Sequence, residues 1–120
     1  MTDFSSVKAL TFDLFGTVLD LAGSLTPYIA EFLAARNPDV DPHEFWAQYR
    51  YRQRIEQYQD SLVQLGHSGY LETAQRAFDY VIRLNGVEAS RQEIADFMDA
   101  WQHLNPFPDV LPNLPRLNKR

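Results

Sequence analysis

With 120 residues, 45% of them hydrophobic and 22% charged, the chain has the size and balance of one small globular domain. Its formal net charge of −5 excludes a generally basic nucleic-acid surface, so an anionic ligand must be met by a local cluster of arginines. The lack of cysteine excludes disulfides, thiolate catalysis and cysteine-ligated metals.

The opening MTDFSSVKAL has neither the basic lead nor the apolar core of an export signal, and no run of about 18 apolar residues follows it. A soluble cytoplasmic protein without a membrane partner is the expectation. Val7 to Phe12 reads as a short apolar strand, which suits a parallel sheet covered on both faces. It reaches a carboxylate at Asp13 and turns through Gly16 and Thr17. Thr26 followed by Pro27 predicts an N-cap and first helical residue, with the helix running to about Arg36. After NPDVDP, the group Asp41, Pro42 and Glu44 starts a longer helix to about Leu65, carrying Phe45, Tyr49, Ile55, Leu62 and Val63 among arginines and glutamines.

GHSG is a loop. Tyr70 to Asn85 is amphipathic, with Ala74, Ala77, Phe78, Val81 and Ile82 on one side and Gly86 just past its end. Ser90 and Glu93 form a capping-box pattern ahead of IADFMDAWQHL. NPFPDVLP is an extended connection, and a last helical segment ends in the basic NKR. One strand and four or five helices do not close an architecture, because a lone strand leaves its backbone groups unpaired. Either the strand pairs with another chain, or the sequence is part of a larger protein.

FDLFGTVLD, residues 12–20, resembles the first motif of the haloacid dehalogenase (HAD) superfamily, a strand ending in D-x-[D/F/Y]-G-T. The helical stretch after it resembles the cap of the type II L-2-haloacid dehalogenase branch, whose aromatic–Arg–Gln step is echoed by YRQRIEQY, residues 51–58. PFPDV, residues 106–110, resembles the return to the core. The resemblance implies an α/β fold with a Rossmann-like core, of which this mostly α chain holds the first strand, and a mainly α-helical cap. It divides the chain into 1–22 (first strand and nucleophile loop), 23–105 (helical cap) and 106–120 (return linker and start of the core helix). It also implies that the rest of the core, with its Ser or Thr, Lys and late acidic residues, lies outside these 120 residues, so that the chain alone lacks activity.

The resemblance makes Asp13 the nucleophile, displacing halide through an ester intermediate, with Thr17 orienting it. A carboxylate with a reference pKa of about 3.9 is ionised at neutral pH and can attack without a base. Taken by itself, Asp13 is equally a common turn residue. Phe15 stands where phosphatases of the superfamily hold a second Asp as general acid, and phenylalanine cannot protonate a leaving group. Halide needs no proton, so Phe15 favours a dehalogenase and is placed among the substrate-binding residues. Arg52 is carried over as the cap arginine for a small anionic substrate such as a 2-haloacid, with Gln53 beside it. Arg50 and Arg54 lie on other helical faces, and Glu56 stands where the family often has an apolar residue. His43, His67 and His103 have no ligand spacing, so neither metal nor cofactor is expected. The alternatives are a HAD phosphatase-like hydrolase, or a non-catalytic helical interaction module that forms a homodimer or exchanges its strand.

Overall fold

Asp20 decides where the helical part begins. Its backbone is extended and its carboxylate accepts from the Gly23 amide at 2.9 Å, which caps helix α1 (Leu21–Ala34). The carboxylate lies so close over Gly23 that a Cβ there would sit 2.2 Å from Asp20 Oδ2 and would push the capping side chain aside. The helix therefore starts earlier than the Thr26–Pro27 pair predicts, and Pro27 lies inside it. An interior proline costs about 3 kcal/mol. Burial of Leu21, Leu25, Ile29, Phe32 and Leu33 along one face outweighs it. The computed structural model describes residues 2–63 and 66–118.

Helix α2 (Pro42–Val63) starts as the sequence predicts, with Asp41 Oδ2 accepting from the Glu44 amide at 2.8 Å. Its expected end at Leu65 lies outside the described residues. The buried face carries Phe45, Tyr49, Gln53 and Glu56, whereas Leu62 and Val63 are exposed. Helix α3 (Tyr70–Leu84) buries the predicted set Ala74, Ala77, Phe78, Val81 and Ile82 against α2. Helix α4 (Arg91–Met98) opens on the predicted capping box, Ser90 with Glu93, and passes into a 3₁₀ turn at Asp99–Gln102. Phe78 lies at the centre of the core, stacked on Phe97 at 4.0 Å and edge-on to Phe32, Phe45 and Tyr49. Arg36 ties α1 to α4 by an ion pair to Glu93 at 2.7 Å.

The chain enters and leaves this bundle through one neck. Strand β1 (Leu19–Asp20) pairs antiparallel with β2 (Asn105–Pro106), in register Leu19 with Pro106 and Asp20 with Asn105. The Asn105 amide donates to buried Ser24 Oγ at 2.9 Å, and the Phe107 amide donates to the Val18 carbonyl at 3.0 Å. The return segment read as extended thus holds a short strand. Helix α5 (Val110–Asn118) follows and buries no residue.

The expected strand over Val7–Phe12 makes no ladder among the described residues, and Val7, Leu10, Phe12 and Leu14 are about half exposed. A strand needs a partner for its backbone groups, and none is present to define it.

Candidate active site

The turn after Asp13 is built from backbone hydrogen bonds. The Leu14 carbonyl accepts from the amides of Val18 and Leu19 at 3.0 and 2.9 Å, and the Gly16 amide donates to the Leu19 carbonyl at 2.9 Å. Gly16 takes φ +84°, where any side chain would be strained. This turn carries Thr17 back to Asp13, and Thr17 Oγ1 donates to Asp13 Oδ2 at 2.6 Å. One carboxylate oxygen is held by a hydroxyl, while Oδ1 has no partner among the described residues and the side chain is exposed.

Phe15 points from the turn onto the helical bundle. Its ring stacks on Tyr70, with centroids 4.4 Å apart and planes 17° apart, and Tyr70 meets the edge of Trp101 at 5.4 Å. Trp101 Nε1 in turn donates to the Tyr49 hydroxyl at 3.2 Å. Burial pushes the Tyr49 phenol well above its ordinary range, so it stays neutral and serves as a structural partner.

Arg50 reaches the same cluster. Its Nη1 donates to Gln53 Oε1 at 2.7 Å and to the Tyr70 hydroxyl at 3.2 Å. Among the described residues, Arg36, Arg52 and Arg76 are half-buried and each pairs with a carboxylate; Arg50 is half-buried and pairs with none. Arg52 points elsewhere. Two positions along a helix are about 200° apart around its axis. There the Arg52 guanidinium binds Glu56 Oε1 at 2.6 and 2.9 Å and lies 4.0 Å over the Tyr80 ring. Gln53 is 1% exposed and its Nε2 has no partner among the described residues, so it holds Arg50 from within the protein.

Of the residues singled out in the sequence, Asp13, Thr17 and Phe15 are thus gathered in one turn, and Gln53 joins them through Arg50 and Tyr70. Arg52 is not brought there. Two concavities, of about 570 and 170 Å³, lie against α3, and neither is lined by Asp13 or Arg50. Among the described residues no group of three or more His, Asp or Glu side chains is arranged to hold a metal ion. No helix is long and apolar enough to cross a membrane among them.

No family model matches the chain, and no curated protein matches it either. Solved structures do. L-2-haloacid dehalogenase from Xanthobacter autotrophicus superposes with a TM-score of 0.74 and 20% identity, covering 87% of this chain and 40% of that one. Over this span the chain has the fold of an L-2-haloacid dehalogenase. The same dehalogenase with chloropropionic acid covalently bound gives 0.72 and 20%, over 88% of this chain and 40% of its own. A further dehalogenase gives 0.75 and 19%, over 96% and 48%. The chain spans less than half the length of these dehalogenases.

Two further residues join this cluster: Arg50, which the sequence leaves beside Arg52 and Arg54, and Tyr70, which the sequence does not single out as a site residue. The signal for Arg50 was helical phase, because Phe45, Tyr49, Gln53 and Glu56 mark the inner face of α2 and Arg50 flanks it. Tyr70 gave a weaker signal, as the first residue of an amphipathic helix directly after Gly69.

Proposed function

We propose that the chain provides the nucleophile turn and helical cap of a hydrolase resembling the 2-haloacid dehalogenases, acting on a small anionic substrate. The division at 1–22, 23–105 and 106–120 belongs to the same proposal, although α1 runs through residues 22 and 23. Asp13 attacks the carbon bearing the halogen, the carbon–halogen bond breaks, and halide leaves with its electron pair. Water then cleaves the resulting ester to a 2-hydroxy acid, releasing a proton and regenerating the carboxylate. Thr17 holds one oxygen of Asp13 so that the other faces the substrate. Phe15 gives the leaving group no proton, which disfavours a phosphatase.

The observation that carries this reading is Arg50, a half-buried cation without a carboxylate partner and linked through Tyr70 to the ring beside the nucleophile. It takes the anion-binding role that the resemblance assigns to Arg52. Joined to the remainder of a dehalogenase core, the chain should form an ester on Asp13 from L-2-chloropropionate, detectable by peptide mass and absent from Asp13→Asn. An unmodified Asp13 in that joined protein at saturating chloropropionate would overturn the reading.

A self-associating helical module is the second reading. It is favoured by the exposed apolar residues Phe4, Val7, Leu10 and Phe12 before the turn and Leu111, Leu114 and Leu117 on α5. Sedimentation decides it, since strand exchange requires a dimer.

A further inference from the structure

We infer that Tyr70 and Gln53 are a two-point holder for Arg50 that dictates which edge of its guanidinium meets the substrate. The inference rests on the reading of Arg50 as the anion site. It begins with a count of donors. A guanidinium has five N–H groups in a planar fork, two of them on Nη1. Both Nη1 hydrogens are taken, one by Gln53 Oε1 at 2.7 Å and the other by the Tyr70 hydroxyl at 3.2 Å. Three donors remain, on Nε and Nη2, and these two nitrogens form one of the edges that can grip a carboxylate with two parallel bonds. The other two-nitrogen edge is blocked because it needs Nη1.

The chemistry of the two holders matters as much as their placement. An amide and a phenol accept hydrogen bonds without neutralising the cation. By contrast, Arg52 and Arg76 are held by carboxylates and carry their charge into a closed network. The Arg50 charge stays available.

Tyr70 does not need its hydroxyl for packing. Its ring contacts, the stack on Phe15 and the edge meeting with Trp101, are ones that phenylalanine would make as well. Its backbone is fixed independently, with buried Thr73 Oγ1 donating to the Tyr70 carbonyl at 2.7 Å. The hydroxyl is left with one hydrogen-bond partner among the described residues, Arg50. Because the same ring lies on Phe15, two residues from Asp13, Tyr70 registers the cation against the nucleophile turn. It is a positioning residue.

The test is a titration of the 120-residue chain with L-2-chloropropionate, followed through the Arg50 Nε–Hε resonance. Tyr70→Phe should keep the unfolding midpoint, weaken the ligand about fivefold, and broaden that resonance as the fork begins to rotate. Gln53→Glu has nearly the same shape but sets a carboxylate on Arg50, and should weaken the ligand at least about tenfold. Arg50→Ala separates the two levels of the argument. If Arg50→Ala abolishes binding while Tyr70→Phe binds and resonates like the parent, the holder is overturned and the anion site stands. If Arg50→Ala binds as the parent does, the anion site itself is overturned.

Discussion

Arg50 and Arg52 leave the same helix two residues apart, and the two regions they enter balance charge in different ways. On the Arg52 side, Glu56 is buried and accepts from both Arg52 and Arg76. Arg76 also reaches Asp60 and Glu72 and donates to Ser68 Oγ, while Ser68 donates back to Asp60. Every arginine in that network has a carboxylate, and it clamps the far part of α2 to the start of α3. On the Arg50 side an amide and a phenol do the holding. A neutralised arginine is part of the architecture. A cation held by neutral acceptors keeps its charge, as the proposed anion site requires.

The strongest way to break the comparison is at Glu56. Its removal takes the carboxylate from Arg52 and one of three from Arg76, both of them partly exposed, and should cost about 2–3 kcal/mol through the lost charge-assisted bonds. Denaturant unfolding of Glu56→Ala should show a loss of that size. A loss within about 0.5 kcal/mol would mean that the network is surface decoration.

Arg52→Ala sharpens the contrast at smaller cost. It gives up the ion pair and the stack on Tyr80, which together contribute about 1–2 kcal/mol at a partly exposed site. Chloropropionate affinity should not change. Weakened binding there would return the anion-binding role to Arg52.

Acid should loosen the network first. Hydrogen bonds from the Ser68 side chain and backbone, reinforced by Arg76, hold the Asp60 carboxyl at about 2. In the unfolded chain the same group titrates near 3.9. A depressed folded-state pKa adds stability that is fully present above the unfolded value and is lost as pH falls through the folded one. The loss therefore falls between about pH 4 and 2. Glu93 adds to it in the same direction, its carboxyl lowered by the Ser90 amide and by Arg36. In Asp60→Asn the unfolding midpoint should fall less steeply over this window; an unchanged slope would remove Asp60 from the account.

The contrast also explains what the sequence could reveal. Local signals were legible wherever the answer was local: the Ser90–Glu93 box, the Asp41 start of α2, the apolar stripe of α3 and the turn from Asp13 to Thr17. The start of α1 differs from the Thr26–Pro27 reading because Asp20 caps the helix and Leu21 and Leu25 are buried along with it. The inner face of α2 was obscured because two of its buried residues, Gln53 and Glu56, are polar. Arg50 and Arg52 meet them from α2 itself, and Arg76 reaches Glu56 from α3, a contact across helices that no single-helix pattern contains. Arg52 came from the aromatic–Arg–Gln resemblance, which does not fix a helical face.

The smallest effect expected is on the stability of Arg50→Ala without ligand. Arg50 donates to two neutral acceptors and has no ion pair among the described residues, so its removal leaves the buried Gln53 carbonyl unpaired but also relieves a partly desolvated charge. The two terms oppose each other, and the net loss should be about 1 kcal/mol. The ligand makes the difference visible. An anion that binds only the folded chain raises its stability by mass action, by about 2.7 kcal/mol when present at a hundred times its Kd. Chloropropionate should therefore raise the unfolding midpoint of the parent and leave that of Arg50→Ala where it was. Equal rises in both proteins would mean that the anion binds elsewhere, and the two sides of α2 would then differ in geometry alone.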